Sequence, residues 1–333
     1  MGVAISELIP KEEIQINHLR GKKLAVDASN VIYQFLASIR QRDGAPLMDN
    51  SGNITSHLLG LSTRIPNLME QGIKLCFVFD GKPPVMKEAE SKRRREKKAI
   101  AEEKLKEATK DHDIESMAKF SKQTIKLTEE IKNESMEFLE AIGIPVIQAP
   151  SEAEAQAAYL AEQGDVWGTV SQDADTLLYS TPRLIRNLTI SQKKKLHGSY
   201  VKVTPQVIDL QKTLDELEIN KEQLMALSIL IGTDYNIGGV KGIGPKTGLK
   251  LVKEHKTIEK VFENIETNFD WKEVYNTFKE MKIKKDCHLV WKSPDQDKIK
   301  EILTKHDFSE ERINRLLEKL KPKKQKNLDK WFN

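Results

Sequence analysis

Four short apolar runs, separated by longer amphipathic stretches, most strongly limit how this chain of 333 residues can fold. Each run is rich in β-branched or aliphatic residues and ends close to a polar or acidic residue, which is typical of buried parallel strands. The runs are 23–27, 75–80, 144–149 and 166–170. Helical patterns alternate with them at 31–39, 56–70, 124–142 and 152–162. This alternation predicts an α/β fold with a mostly parallel central sheet.

Composition narrows the class of protein. The only two cysteines, Cys76 and Cys287, lie far apart, which argues against a disulfide scaffold or a CxxC zinc site and indicates a reducing, intracellular compartment. No apolar run is long enough to span a membrane, and the N-terminus has neither the basic nor the apolar part of a secretory signal. The net charge is only +4, so the distribution of charge is more informative about partners than the total.

Acidic residues collect just after the predicted strands. They are Asp27, Asp80, Glu152, Glu154, Asp173 and Asp175, and Asp234 follows a predicted apolar helix over 224–231. In a parallel sheet such residues meet at the carboxyl edge, where their charges repel unless cations neutralise them. Oxygen ligands without His or Cys favour Mg²⁺ or Mn²⁺ over zinc. Two such ions can activate water and stabilise the leaving oxygen of a phosphodiester, so the sequence predicts a Mg²⁺-dependent nuclease.

Structural roles compete with metal binding at some of these positions. A single Asp at a strand end more often caps a helix or forms a turn, and for Asp27 taken alone this interpretation is favoured. Glu152 could be a first-turn Glu behind a Ser151 cap. The pairs Glu152 with Glu154 and Asp173 with Asp175 favour metal binding. The members of each pair are separated by one residue, and in a loop or first turn both can point toward one ion.

Residues 82 to about 132 interrupt the alternation and are rich in Lys, Arg and Glu, which predicts a mobile helical insertion. From 82 to 98 there are eight basic residues and three acidic ones. A solvated helix with i, i+4 ion pairs is the default interpretation of such a run. Because the run begins two residues after Asp80, we favour a phosphate-binding role for Lys87 and Arg94.

A glycine-rich segment, GVKGIGPKTG at 239–248, joins two helical patterns in a region that reads as all-helical from about residue 220. It is typical of a helix-hairpin-helix element, whose small residues let backbone N–H groups approach consecutive phosphates without reading bases. An ordinary interhelical turn is the alternative. The candidate DNA-binding residues of this segment and the helix after it are Gly239, Lys241, Gly242, Gly244, Lys246 and Lys250.

Six motifs occur in a fixed order: VDASNVIYQFL, FVFDGKPPVMK, APSEAEAQAAYL, SQDADTLLY, ILIGTDYN and GVKGIGPKTG. Together they resemble the flap endonucleases, the structure-specific 5′ nucleases of DNA replication and repair. The resemblance implies a PIN-like nuclease core with a helical arch, the metal-ligand role for all seven carboxylates, and contact of Lys87 and Arg94 with the scissile phosphate. It also implies two-metal hydrolysis at 5′ flaps, 5′–3′ exonuclease activity and a role in Okazaki fragment maturation.

Further roles rest on the same resemblance. Tyr33 matches a position on which a base beside the cut stacks, although the residues alone favour a core position. Gly2, exposed after removal of Met1, matches a glycine near the DNA. The hairpin around Gly239 and Val240 matches a K⁺-binding element that grips the duplex, but Ile237-Gly-Gly is one residue longer than we expect.

The C-terminal segment resembles a sliding-clamp (PCNA-type) interaction box, formed by Gln325, Leu328, Trp331 and Phe332. On one face of a short helical turn, these side chains would fill an apolar pocket; packing on the chain's own domain is the alternative. The end of the chain at Asn333 suggests an archaeal form, hence a cytoplasmic location, or a nuclear one if the source is eukaryotic. We expect a monomer.

These features predict one nuclease domain over 1–320 and a clamp-binding tail over 321–333. Within the domain we expect an N-terminal region to about 98, an arch over about 82–132, and an internal region over about 122–255 with the hairpin element at 237–255. The rival hypotheses are a related 5′ exonuclease or junction resolvase, and a catalytically inactive DNA-binding clamp adaptor.

Overall fold

The computed structural model describes residues 4–190, 193–196, 199–263 and 265–321. The strands are β1 Glu12–Glu13, β2 Lys23–Asp27, β3 Lys74–Phe79, β4 Val146–Gln148, β5 Gly168–Val170, β6 Arg183–Arg186, β7 Lys193–Leu196, β8 Ser199–Lys202 and β9 Gln206–Asp209. The helices are α1 Ala28–Ser38, α2 Ser56–Glu70, α3 Glu88–Lys110, α4 Ile114–Gln123, α5 Glu129–Ala141, α6 Ala153–Glu162, α7 Leu210–Leu217, α8 Lys221–Ile231, α9 Pro245–His255, α10 Ile258–Glu263, α11 Trp271–Lys279, α12 Gln296–Lys305 and α13 Glu310–Leu320. Short 3₁₀ helices lie at Ala4–Glu7, Ile16–Leu19, Val85–Lys87 and Ala174–Leu177.

The main sheet has seven strands in the order β1-β9-β6-β5-β2-β3-β4. The five strands from β6 to β4 pair in parallel, and β9 and β1 add an antiparallel edge. The predicted α/β class with a mostly parallel sheet is therefore confirmed. From β2 the chain passes to β3 and β4 on one side and then to β5 on the other, so β2 lies at a topological switch point. Ligands of open α/β sheets bind outside the carboxyl ends of the strands at such a point.

Helices cover both faces of the sheet. On one face α1, α2, α5, α12 and α13 enclose a core that includes Phe35, Phe77 and Phe138, all fully buried. On the other face α6 packs its alanines against β2 and β3, beneath an irregular segment that contributes Cys287 and Trp291. A second apolar cluster joins β6 and β9 to helices α7 to α11. The carboxyl edge of β2 is thus held rigidly between packed layers.

The insertion predicted over about 82–132 forms the helical pair α3 and α4. Helix α3 buries few side chains because charged residues dominate its sequence. Helix α4 is tied to the loop after α1: the Ser121 hydroxyl donates to the Gly44 carbonyl at 2.7 Å, and the Arg40 guanidinium donates to Ser121 Oγ at 2.5 Å. No helix in the described part of the chain is long and apolar enough to cross a membrane.

Candidate active site

Two aspartates at the ends of neighbouring central strands also cap helices. Asp27 ends β2, and its Oδ1 accepts a hydrogen bond from the Asn30 N–H at 3.0 Å at the start of α1. Asp80 follows β3, and its Oδ1 accepts from the Ala153 N–H at 2.8 Å at the start of α6. For Asp27, capping and metal binding were alternatives on sequence. The cap is present, but it engages only one oxygen of the carboxylate, so the two roles are compatible.

Four further predicted carboxylates follow β4 and β5, and Asp234 follows helix α8. Glu152 is itself the N-cap residue of α6, so the interpretation of Ser151 as the cap is wrong. The Ser151 hydroxyl instead donates to the Lys82 carbonyl at 3.0 Å. Asp173 caps the short 3₁₀ helix that contains Asp175, accepting from the Asp175 N–H at 3.2 Å. Both pairs therefore lie at helix starts, where residues two apart can face the same region.

A buried serine connects the carboxylates of different elements. Ser171 Oγ lies 3.3 Å from Asp27 Oδ2 and 3.5 Å from Glu154 Oε1. Burial, followed by the charges of Asp80 and Asp173, raises the pKa of Asp27 to about 7. Burial and the charges of Asp173 and Asp27 likewise raise the pKa of Glu154 well above its ordinary value. The cluster therefore holds more negative charge than its surroundings neutralise.

Lys87 and Arg94 extend from the insertion onto these carboxylates. Lys87 Nζ lies 2.5 Å from Glu152 Oε2 and 3.6 Å from Asp234 Oδ2, and Arg94 Nη2 donates to Asp234 Oδ2 at 2.9 Å. Burial alone would lower the pKa of Lys87, but Glu152 and the other acids raise it instead. Burial also raises the pKa of Glu152, and Lys87 opposes that rise. Both predicted cations thus meet the acidic cluster directly.

Glu90, which sequence reasoning did not single out, sets the position of Arg94. Its side chain is 1% exposed and accepts hydrogen bonds at 2.7 Å from both Arg93 Nε and Arg94 Nε. The two guanidinium groups outweigh the effect of burial and lower the pKa of Glu90 to about 2. The i, i+4 spacing of Glu90 and Arg94 on a predicted helix could have indicated this ion pair from the sequence.

Among the residues that the structure describes, no group of three or more His, Cys, Asp and Glu side chains stands ready to hold a metal ion. The expected ligands have other partners: Lys87 and Arg94 bind Glu152 and Asp234, and the Asn30 N–H and the Ser171 hydroxyl bind Asp27. The donor set still fits a hard cation, since it offers only carboxylate oxygens and carries excess negative charge.

Tyr33 lies beside the insertion and not in the core, so the core position that the residues alone favoured is wrong. Its side chain is 36% exposed on α1. Lys98 Nζ of α3 lies 5.5 Å from the centre of its ring and donates to its hydroxyl at 3.2 Å. A partly exposed aromatic ring with a cation beside it has the chemistry to contact a nucleic-acid base and its phosphate.

The glycine segment forms a hairpin between α8 and α9. Gly242 has a φ of +84°, and Gly244 is the N-cap residue of α9, with Pro245 at the first helical position. Gly239 packs so tightly that a Cβ would lie 2.3 Å from the Leu230 carbonyl oxygen. This close approach explains the glycine at 239. The start of α9 lies beside the exposed side chains of Lys241, Lys246 and Lys250.

The structure brings the predicted acidic residues and both arch cations to one edge of the sheet. The hairpin residues lie in a separate region after α8. Five predicted residues fall outside the described residues: Gly2, Gln325, Leu328, Trp331 and Phe332.

Comparison with known proteins agrees with this geometry. The XPG N-terminal domain matches residues 2–101 and the XPG I-region matches residues 143–234, so the fold and site define an XPG-type nuclease. Flap endonuclease 1 of Pyrococcus abyssi is 50% identical over 339 residues, covering 100% of this chain and 98% of the relative. The chain belongs to the flap endonuclease family.

Solved structures give the same result. Flap endonuclease-1 from Methanococcus jannaschii superimposes with a TM-score of 0.77 at 42% identity, covering 96% of this chain and 98% of the other. The catalytic core of Rad2 in complex with DNA substrate superimposes with a TM-score of 0.67 at 25% identity, covering 93% and 96%. The predicted family and the predicted class of enzyme, a structure-specific nuclease, are confirmed.

Proposed function

We propose that this chain is a 5′ flap endonuclease that hydrolyses one phosphodiester near the junction of branched DNA with the help of two Mg²⁺ ions. The proposal rests on the ion pairs that Lys87 and Arg94 form with the acidic cluster at the carboxyl end of β2, the topological switch point of the sheet. A scissile phosphate needs both metal ions and fixed cations around its developing charge, and this edge of the sheet offers residues for both.

Nucleases of this family are generally metal-dependent. We assign the metal-ligand role to the seven carboxylates Asp27, Asp80, Glu152, Glu154, Asp173, Asp175 and Asp234. An oxygen-only donor set favours Mg²⁺, with Mn²⁺ as a substitute. When bound, two such ions supply an activated water and stabilise the leaving oxygen. We further propose that K⁺ binds at the hairpin around Gly239 and Val240.

Lys87 and Arg94 have a second role in this proposal. Both bind carboxylates in the structure, and both sit on an insertion that contributes little to the core. We propose that they exchange these carboxylates for the scissile phosphate when DNA arrives, freeing Glu152 and Asp234 for metal. Glu90 keeps the Arg94 side chain extended toward the site during this exchange.

The substrate is held mainly through its phosphates. We propose that the hairpin binds the duplex and that Tyr33 stacks on the base beside the cut. The residues of the hairpin and of the helix after it that would contact the duplex are Gly239, Lys241, Gly242, Gly244, Lys246 and Lys250. Gly2 is assigned to the same DNA surface by the family resemblance alone. Contacts of this kind release counterions, so binding should weaken steeply as salt rises.

The C-terminal residues Gln325, Leu328, Trp331 and Phe332 are proposed to bind a PCNA-type sliding clamp, with the chain acting as a monomer in an archaeal cytoplasm. The domain division is proposed as predicted, with the nuclease domain over 1–320 and the tail over 321–333. Deleting 325–333 should abolish stimulation by the clamp and leave basal cleavage unchanged. Equal stimulation of the truncated chain would refute the clamp assignment.

Replacing Asp175 by Ala tests the proposed site. Asp175 is 5% exposed within the cluster, and its loss should reduce Mg²⁺-dependent cleavage of a 5′-flap substrate by at least about 100-fold. The same change at the exposed Asp286 serves as the control and should leave cleavage intact. Undiminished cleavage by the Asp175 variant would overturn the proposal, and a preference for nicked or four-way substrates in the unmodified chain would favour an exonuclease or a resolvase.

A further inference from the structure

Two tyrosines connect the loops that carry acidic residues at opposite sides of the site. The hydroxyls of Tyr179 and Tyr235 lie 2.9 Å apart, within hydrogen-bonding distance. Tyr179 follows Asp175 by four residues, just after the short 3₁₀ helix, and Tyr235 is the immediate neighbour of Asp234. The bond thus joins two segments that are 56 residues apart in the chain and that each present a carboxylate to the site.

A third aromatic side chain fixes both rings. Phe278 of α11 is 5% exposed and meets Tyr235 edge to face, with ring centroids 4.7 Å apart. The ring of Tyr179 lies 5.4 Å from Phe278 at an angle of 49°. Such tilted and edge-to-face pairs are favourable beyond the area that they bury. The two hydroxyls are therefore held in place by packing as well as by their own bond.

The loop before Tyr235 is itself rigid. Asn236 Oδ1 accepts from the Thr233 N–H at 3.1 Å and from the Thr233 hydroxyl at 2.7 Å. Asn236 Nδ2 donates to the Ile229 carbonyl at 2.7 Å, which ties the loop to the end of α8. Asp234 therefore lies on a loop with little internal freedom, so the hydrogen bond that fixes Tyr235 also fixes the position of the Asp234 carboxylate.

Both phenols lie close to the first turn of α6. Burial raises the pKa of Tyr179 well above its ordinary value, with Tyr235 and the carboxylates Glu152 and Glu154 adding to the rise. Burial and Glu152 also raise the pKa of Tyr235. Neutral phenols can share a hydrogen bond, one donating and the other accepting, whereas a phenolate beside these carboxylates would be repelled.

We propose that Tyr179 and Tyr235 are positioning residues, whose hydroxyl pair fixes the distance between the Asp173–Asp175 segment and Asp234 and so sets the affinity of the site for divalent metal. The inference rests on the proposed function, because it treats these aspartates as metal ligands. Neither tyrosine touches the reacting atoms. Groups that orient metal ligands from behind commonly affect metal affinity by 10-fold or more.

Simple core packing is the competing explanation, and paired Phe substitutions separate the two. In Tyr179→Phe or Tyr235→Phe one buried hydroxyl loses its partner, so both single variants should unfold at a lower temperature, by about 2 to 4 °C. The double variant removes both hydroxyls and should regain most of that loss, because no buried group is left unpaired. Metal affinity should not recover, since the link between the loops is absent in all three variants.

The experiment measures binding of Mn²⁺ to the full-length protein by calorimetry, together with the melting temperature and DNA binding without metal. We expect all three variants to bind Mn²⁺ about 10-fold more weakly, with unchanged DNA binding. Tyr275→Phe is the matched control: Tyr275 lies on the same helix as Phe278, but its hydroxyl donates to Glu222 at 3.3 Å, so its loss should leave Mn²⁺ binding unchanged.

Two outcomes would overturn the inference. One is unchanged Mn²⁺ affinity in the single and double variants; the other is recovery of affinity together with stability in the double variant, which would assign the pair to packing. If Asp175→Ala binds Mn²⁺ and cleaves as well as the unmodified chain, the proposed function fails instead. The two failures are therefore distinguishable.

Discussion

Two buried clusters of ionisable side chains in this molecule are built on opposite principles. The acidic site at the carboxyl edge of the sheet gathers like charges, and burial, followed by these charges, raises the pKa of Asp27 to about 7. A second cluster, between α2, α5 and the end of α12, gathers groups that can pair. There, hydrogen bonds from Asn53 and His306 lower the pKa of Asp49 to about 2. The pKa values of two aspartates, Asp27 and Asp49, thus shift in opposite directions.

The second cluster, which we term the histidine network, consists of Asp49, His57, Glu134 and His306. His306 Nδ1 lies 2.9 Å from Asp49 Oδ2, and its Nε2 lies 3.0 Å from Glu134 Oε1. His57 Nε2 lies 3.2 Å from the other oxygen of Glu134. Contacts with both histidines lower the pKa of Glu134. The network joins α2, α5 and the end of α12 to the loop that carries Asp49. Because these segments are distant in sequence, the role of the network is structural.

The comparison teaches how to separate functional from structural acids. Where neighbours are acidic, the ionised state costs free energy that an external cation can recover, and the cluster is a candidate binding site. Where neighbours can donate or carry positive charge, the ionised state is already stabilised and the cluster serves the fold. The direction of the pKa shift, together with the identity of the neighbours, therefore carries more information than burial alone.

The largest expected effect is that of Asp27→Asn, which removes the charge and keeps the cap, because Asn is an equally good N-cap residue. Loss of a ligand charge should reduce flap cleavage by more than about 100-fold. Relief of repulsion should at the same time stabilise the metal-free protein by about 1 kcal/mol. Cleavage assays and denaturant unfolding in a chelator measure the two effects.

The matched change in the histidine network is Asp49→Asn, which should have the opposite effect on stability. Asp49 accepts from the backbone N–H groups of Ser51 and Asn53 and contacts His306. An amide there weakens these bonds, so the variant should unfold more easily while cleaving normally. If both substitutions shifted stability in the same direction, the contrast between the two clusters would be wrong.

Much of the sheet was predictable because its central strands are continuous apolar runs. Strand β2 and helix α2 have the predicted bounds, 23–27 and 56–70. The antiparallel edge was not predicted: β6 and β9 carry only short apolar stretches between charged or polar residues, and β1 is two acidic residues. Their pairing depends on contacts between distant segments, which local periodicity does not register.

The carboxylates of the site were predictable because each follows a strand or an apolar helix. Their supporting residues were not, because these are defined only by the fold. Ser171 bridges Asp27 across 144 residues of sequence, and the Tyr179–Tyr235 bond spans 56. The core position that the residues alone favoured for Tyr33 was wrong because Tyr33 lies on the side of α1 that faces Lys98 of α3, where it stays 36% exposed.

A smaller effect is expected from Glu134→Gln, which tests whether the histidine network stabilises the fold. The two oxygens of Glu134 lie 3.0 Å from His306 Nε2 and 3.2 Å from His57 Nε2, and these contacts stabilise the ionised carboxylate. We therefore expect the free energy of unfolding to fall by about 2 kcal/mol, with cleavage retained below the melting temperature.

The control for that change lies one helical turn away. Glu137 on the same helix pairs with Lys298 at 2.7 Å, but its side chain is 49% exposed. Exposed pairs contribute little, so Glu137→Gln should change the unfolding free energy by less than about 1 kcal/mol. Equal losses in the two variants would show that the buried network is no stronger than a surface ion pair.

The smallest expected effect is the pH dependence that His57 confers. Burial lowers the pKa of His57 more than Glu134 raises it, and neither ring nitrogen has a well-directed hydrogen bond among the described residues. The unfolded chain therefore binds a proton at this histidine more readily than the folded one. Stability from His57 is fully present above the ordinary histidine pKa of about 6.5 and is lost as the pH falls below it.

Unfolding of the metal-free protein and of His57→Gln at pH 7.5 and at pH 5.5 isolates this loss as the difference between the two proteins, because the acidic site gains stability over the same range in both. We expect the His57 contribution to be about 1 kcal/mol. His57→Gln has no ionisable group at this position, so on acidification it should lose less stability, or gain more, than the unmodified protein, even if it is less stable at both pH values. Asp49 and Glu134 do not interfere in this range, because their lowered pKa values confine their own losses to more acidic pH. An equal change in the variant would place the pH dependence at a group other than His57. The acidic site cannot be the source of a loss at low pH, because its raised pKa values add stability as the pH falls.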